Sequence, residues 1–144
     1  NRTSDDLNGV LNWIKPSNSG DPRSKDRYYS GGFTNECEAI GSVYTPPFGT
    51  TNHLLNLTNA SMEFRGGNLA LDFAVSDLNN KAASPSLNQF TLSFSLSAGT
   101  FTGKTMDPSS GKLLTFQGAV LQKVNAGYGF LLGTNQSSRV VLHY

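Results

Sequence analysis

Leu69, Leu71, Phe73 and Val75 occupy every second position, with Ala70, Asp72 and Ala74 between them. Phe90, Leu92, Phe94 and Leu96 repeat the arrangement around Thr91, Ser93 and Ser95. An extended chain turns successive side chains to opposite faces, so each stretch reads as a strand with one face buried and the other in water. Leu114, Phe116, Gly118 and Val120 continue the rhythm, then Tyr128, Phe130 and Leu132, then Val140 and Leu142. Turn signals separate these runs. Asp107-Pro108-Ser109-Ser110-Gly111 has Pro where φ is preset and Gly where a positive φ is tolerated, and Asn125-Ala126-Gly127 and Asn135-Gln136-Ser137-Ser138 divide the strands that follow. The second half of the chain is expected to be a meander of strands joined by hairpins.

The first half is less regular. Strands are expected over 10–15, 36–44, 53–57 and 61–65, with Gly66-Gly67-Asn68 turning the chain into the Leu69 strand. Between the first two lies 16–32, the longest polar stretch, which carries Asp21, Arg23, Lys25, Asp26 and Arg27 ahead of Tyr28 and Tyr29. A loop of that length usually has a function or is disordered. A second break, 76–87, contains Asn79-Asn80 and Pro85. No segment keeps a 3.6-residue period. The expectation is about ten strands and at most one short helical turn.

Composition points the same way. Asn, Ser and Thr make up 43 of the 144 residues and Gly another 15. Their side chains compete with helical hydrogen bonds, and each Gly costs a helix about 1 kcal/mol. Charged residues are only 15%, with a net charge of +1. There is no basic excess to hold a phosphate backbone, so nucleic acid is not an expected partner. No apolar run approaches the ~20 residues a membrane span needs, and the polar first residues do not form the apolar core of a signal peptide. The chain begins with Asn rather than Met, which points to a processed or trimmed product from which any export signal has been removed. A weakly charged, amide-rich surface suits an extracellular or cell-surface location. The single Cys37 excludes an intrachain disulfide framework and a multi-thiolate metal site.

A faint internal duplication runs through the chain. Gly9-Val10-Leu11-Asn12-Trp13 corresponds to Gly99-Thr100-Phe101-Thr102-Gly103, Ile40-Gly41-Ser42-Val43-Tyr44 to Gln117-Gly118-Ala119-Val120-Leu121, and Leu57-Thr58-Asn59-Ala60-Ser61 to Gly133-Thr134-Asn135-Gln136-Ser137. The offsets are 90, 77 and 76 residues, and the larger first value makes 16–32 an insertion on a duplicated scaffold. Half-unit one would cover about 7–75 and half-unit two about 88–144, in a single β-domain over 1–144. A sheet of about ten strands accumulates twist and exposes its edges, so it curls or splits. The expected fold is all-β, an antiparallel closed or nearly closed barrel, with a β-sandwich as the alternative.

The residues Thr100-Phe101-Thr102-Gly103-Lys104, Asp107-Pro108, Gly111-Lys112, 115–123 and 127–137 together resemble a repeat-like β-module found near the C-termini of large secreted proteins of soil and aquatic bacteria. Leu11-Asn12-Trp13-Ile14-Lys15-Pro16, 40–47 and Gly66-Gly67-Asn68-Leu69 match its first half, so the likeness covers nearly the whole chain. One departure is Ser138-Arg139, where the pattern usually continues with Gly. The resemblance implies secretion and an appended, modular role; it brings no established activity and no catalytic residues.

Candidate chemistry is sparse. His53 and His143 are the only side chains that titrate near neutrality, no Gly-x-Ser-x-Gly elbow is present, and both read as surface histidines. Cys37 sits between Glu36 and Glu38, which would raise its pKa rather than activate it. Calcium asks only for oxygens, and Asp5, Asp6, Asp21, Asp26, Glu36 and Glu38 lie near the insertion; the bland reading is solvated charges pairing with Arg23, Lys25 and Arg27. Trp13, Tyr28, Tyr29 and Tyr44 gather near the same loop, as sugar-stacking faces or as the plug of a barrel end. Two functions follow. One is a secreted module with a structural role or a weak affinity for a glycan or other small ligand. The other is a small calcium-assisted hydrolase of an ester or a lactone such as an acyl-homoserine lactone.

Overall fold

A computed structural model of the chain describes residues 6–18, 20–23, 29–48, 54–57, 59–67, 69–76, 81–82, 90–133 and 136–144. It is all-β, and the one helical element among the described residues is a short 3-10 turn, Gln122–Val124. The chain divides into two compact units, 1–41 and 42–144.

The first unit is a two-stranded antiparallel ribbon. β1 (Leu7–Lys15) pairs with β2 (Phe33–Gly41) over nine consecutive positions, and residues 16–32 join them. The register puts Leu7, Leu11 and Trp13 on one face with Phe33, Asn35 and Cys37, and puts Val10, Asn12 and Ile14 on the other with Glu36 and Glu38. Among the described residues, none of the core cluster lies in this unit.

The second unit is one eight-stranded sheet built from β3 (Asn59–Gly66), β4 (Leu69–Ser76), β5 (Lys81–Ala82), β6 (Thr91–Ser95), β7 (Thr100–Met106), β8 (Leu113–Leu121), β9 (Ala126–Leu132) and β10 (Ser137–His143). Their order is β4-β3-β10-β9-β8-β7-β6-β5, with every pair antiparallel. The chain's own length forces this sheet to curl. β4 and β5 are opposite edges, yet only residues 77–80 join them. Five Cα steps reach at most about 18 Å, while eight flat strands would hold their edges about 34 Å apart. The sheet is accordingly a strongly curled half-barrel. Among the described residues its ladder stops at β4 and β5, which do not pair with each other, so the strands form a curled sheet of eight and a two-stranded sheet, and closure of the expected closed or nearly closed barrel of about ten strands is not seen.

The concave side holds the core. Phe116 is in edge contact with Phe64 at 5.1 Å and stacks on Phe90 at 5.8 Å, and Phe101 lies 6.4 Å from it. Leu92, Leu131, Val140, Leu142 and Met62 close around them, all essentially without exposed surface. Large rings fit because the neighbouring strand offers glycine. Phe116 faces Gly103 and Phe101 faces Gly118, and a Cβ on either glycine would come within 2.3 Å of the facing ring. Residues 54–57 form no strand, contrary to the sequence reading. Leu54 and Leu55 are both buried, which alternation cannot achieve, and with Leu57 they join the core from a connecting segment.

That connector is tied down by amides. Gln122 accepts from the Thr45 N–H at 2.8 Å and donates to its carbonyl at 2.9 Å. Asn125 does the same with Asn56, at 2.9 and 3.2 Å. Each side chain satisfies a backbone donor and acceptor as a strand partner would.

Candidate functional site

In the first unit, the described ends of the 16–32 segment meet just beyond the ribbon. The Asn18 N–H donates to the Ser30 carbonyl at 2.9 Å, and the Gly32 N–H donates to the Tyr29 carbonyl at 2.9 Å to make a tight turn. Gly32 is required here: its φ is +73°, and a Cβ would fall 2.5 Å from the Lys15 carbonyl oxygen. Tyr29 itself adopts φ +56°, a region that a bulky side chain enters at a cost of roughly 1–2 kcal/mol.

This strained position carries the ring to Phe33. The Tyr29 and Phe33 centroids are 5.4 Å apart at 71°, and Trp13 meets Phe33 at 5.9 Å and 64°. Trp13 and Tyr29 nevertheless expose 65% and 64% of their surface. Asn35, directly opposite Trp13, brings an amide to the same face and donates to Cys37 Sγ at 3.5 Å. The result is a three-ring platform at the end of the ribbon, with the Asn35 amide on the same face.

The other expected ligand residues fare differently. Tyr44 belongs to the second unit and is structural there. Its hydroxyl donates to the Leu96 carbonyl, its ring covers Gly99 where a Cβ would collide, and burial pushes its phenol above the ordinary value of 10.0. Tyr28 lies outside the described residues, as do Asp5, Asp26 and His53. Of the remaining acidic candidates, Asp6 precedes β1, and the Asp21 carboxylate accepts the Arg23 N–H at 2.8 Å in a local turn. Glu36 and Glu38 share the ribbon face away from Trp13. Among the described residues no three His, Cys, Asp or Glu side chains converge on a point where a metal could sit.

His143 is bonded on both ring nitrogens, to Glu63 Oε1 at 2.9 Å and to the Tyr144 carbonyl at 2.7 Å. A general base needs a ring nitrogen within reach of its proton source, and here both are engaged.

The second unit holds a groove that the alternation rule missed. Tyr128, Phe130 and Leu132 read as a buried face in the sequence, yet they point outward, and Gly127, Gly129 and Leu131 face the core. The cause is Phe101, whose ring occupies the space where side chains at positions 118 and 127 would stand. Glycine on the inner face of β9 leaves its aromatics outside. They border a cavity of about 600 Å³ on the outer surface of β6–β9. One row across it runs Ser93, Thr102, Gln117, Phe130, and the next runs Ser95, Thr100, Ala119, Tyr128. Ala119 leaves the depression between Thr100 and Tyr128. None of the residues lining it is Asp, Glu, Lys, Arg, His or Cys.

No protein-family model, curated protein or solved structure matches the chain. No helix among the described residues is long and apolar enough to cross a membrane.

Proposed function

We propose that the chain is a non-catalytic binding module that holds a glycan on the aromatic platform of its first unit. The observation behind this reading is that Trp13 and Tyr29 both lean on Phe33 and both remain about two-thirds exposed. Rings fixed by a third ring have little rotamer freedom left to lose, so a ligand stacking on them incurs a small entropy cost. Aromatic faces suit the C–H faces of sugars, and the Asn35 amide beside Trp13 suits their hydroxyls. Backbone strain at Tyr29 fits the same role, because strain collects where a ring must be presented rather than packed.

The module acts outside the cell or at its surface, a reading supported by its weakly charged, hydroxyl- and amide-rich composition. Its scaffold is a pair of duplicated half-units curling toward a barrel, supported by the 77- and 76-residue offsets and by the curl of the sheet. Glycan-array and affinity measurements on the whole chain test the function. Binding that is weakened in Trp13→Ala and in Tyr29→Ala supports it. Turnover of esters or acyl lactones that disappears with chelator would replace it with the metal-assisted hydrolase.

A further inference from the structure

We propose a second binding site, independent of the hairpin platform, in the groove across β6–β9, which takes a segment of uncharged polysaccharide. Four observations converge on that ligand. First, the lining holds no formal charge, so an anionic ligand finds no cation and a metal finds no carboxylate. Second, β7, β8 and β9 are each paired on both sides, so their backbones have no free edge to which a peptide strand could add. Recognition falls to side chains alone.

Third, those side chains combine two kinds of group. Tyr128 and Phe130 stand at alternate positions of β9, about 7 Å apart, and are 38% and 43% exposed. Facing them are hydroxyls and the Gln117 amide. Thr102 donates its own proton to the Phe116 carbonyl at 3.1 Å, which leaves its oxygen free to accept from a ligand. A polyol chain with apolar C–H faces complements this mixture, its C–H faces on the rings and its hydroxyls toward the Gln117 amide and the Thr102 oxygen. Fourth, about 600 Å³ is ordinary for a small-ligand site and is large enough for more than one sugar unit.

The test is affinity electrophoresis of the whole chain through gels containing β-glucan, xyloglucan, glucomannan or dextran, with alginate as the charged comparison. The expected result is retardation by at least one neutral polymer, unchanged between low and high salt because no ion pair contributes. Tyr128→Ala and Phe130→Ala should each weaken it roughly tenfold. Leu132→Ala, outward on the same strand but outside the lining, should leave both retardation and melting temperature unchanged. Retardation lost in Trp13→Ala and kept in Tyr128→Ala would assign all binding to the hairpin and overturn the groove. Equally fatal are retardation by alginate alone and no retardation by any neutral polymer.

Discussion

Gly118 shows how single positions set this fold. It faces Phe101 across the β7–β8 ladder, and a Cβ there would lie 2.3 Å from Cζ of the ring and 2.5 Å from the Tyr128 carbonyl oxygen. Gly118→Ala therefore should destabilise the chain by about 1–3 kcal/mol in chemical denaturation. Trimming the ring with Phe101→Leu in the same chain should recover part of that loss, because the two residues share one volume. A second residue-scale prediction concerns Asp107. Its carboxylate accepts from the Ser109 N–H at 2.9 Å and from the Ser109 and Ser110 hydroxyls at 2.7 and 2.6 Å. The Ser110 and Ser109 hydrogen bonds hold its pKa below the ordinary 3.8. A depressed carboxylate contributes order that is complete above the unfolded value and disappears as pH falls through the folded one. The Ser109 and Ser110 amide resonances should thus stay at their turn positions at pH 4 and move only in more acid solution.

Individual strands show where the sequence could be read and where it could not. β3, β4, β6, β8 and β10 follow from alternation because their inward positions carry most of their large apolar groups, Met62 and Phe64 on β3 and Val140 and Leu142 on β10 among them. β9 was legible as a strand but not in phase. Its aromatic positions are the outer ones, because the volume inside them is filled by Phe101 from a strand that is not its neighbour. Period two fixes which residues share a face; only tertiary packing decides which face is inside. The groove was hidden for that reason. Trp13, Tyr29 and Phe33 were all visible as aromatics beside the long loop, whereas the place of Phe33 between the other two rings follows only from the register that sets it against Lys15. The amide-bound connector was equally unreadable, since Gln122 and Thr45 are 77 residues apart. Gln122→Ala removes two hydrogen bonds at once and should cost about 1–2 kcal/mol, with the exchange of the Thr45 amide accelerated most.

At the scale of the whole chain, stability is divided unequally. Among the described residues every core residue lies between Leu54 and Leu142, in the second unit, while the ribbon leaves Leu7, Val10, Leu11, Trp13 and Ile14 largely exposed. A two-stranded hairpin without a buried face is marginal in water. Hydrogen exchange should accordingly show β1 and β2 opening at far lower free energy than β7–β10, in a separate cooperative step.

Trp13 is the sole tryptophan, so its fluorescence reports on the platform without labelling. Titrating the whole chain with neutral oligosaccharides should give a saturable change in that emission, unaffected by chelator and abolished in Tyr29→Ala. A flat response to every neutral sugar, or a response that appears only when calcium is added, would contradict the account.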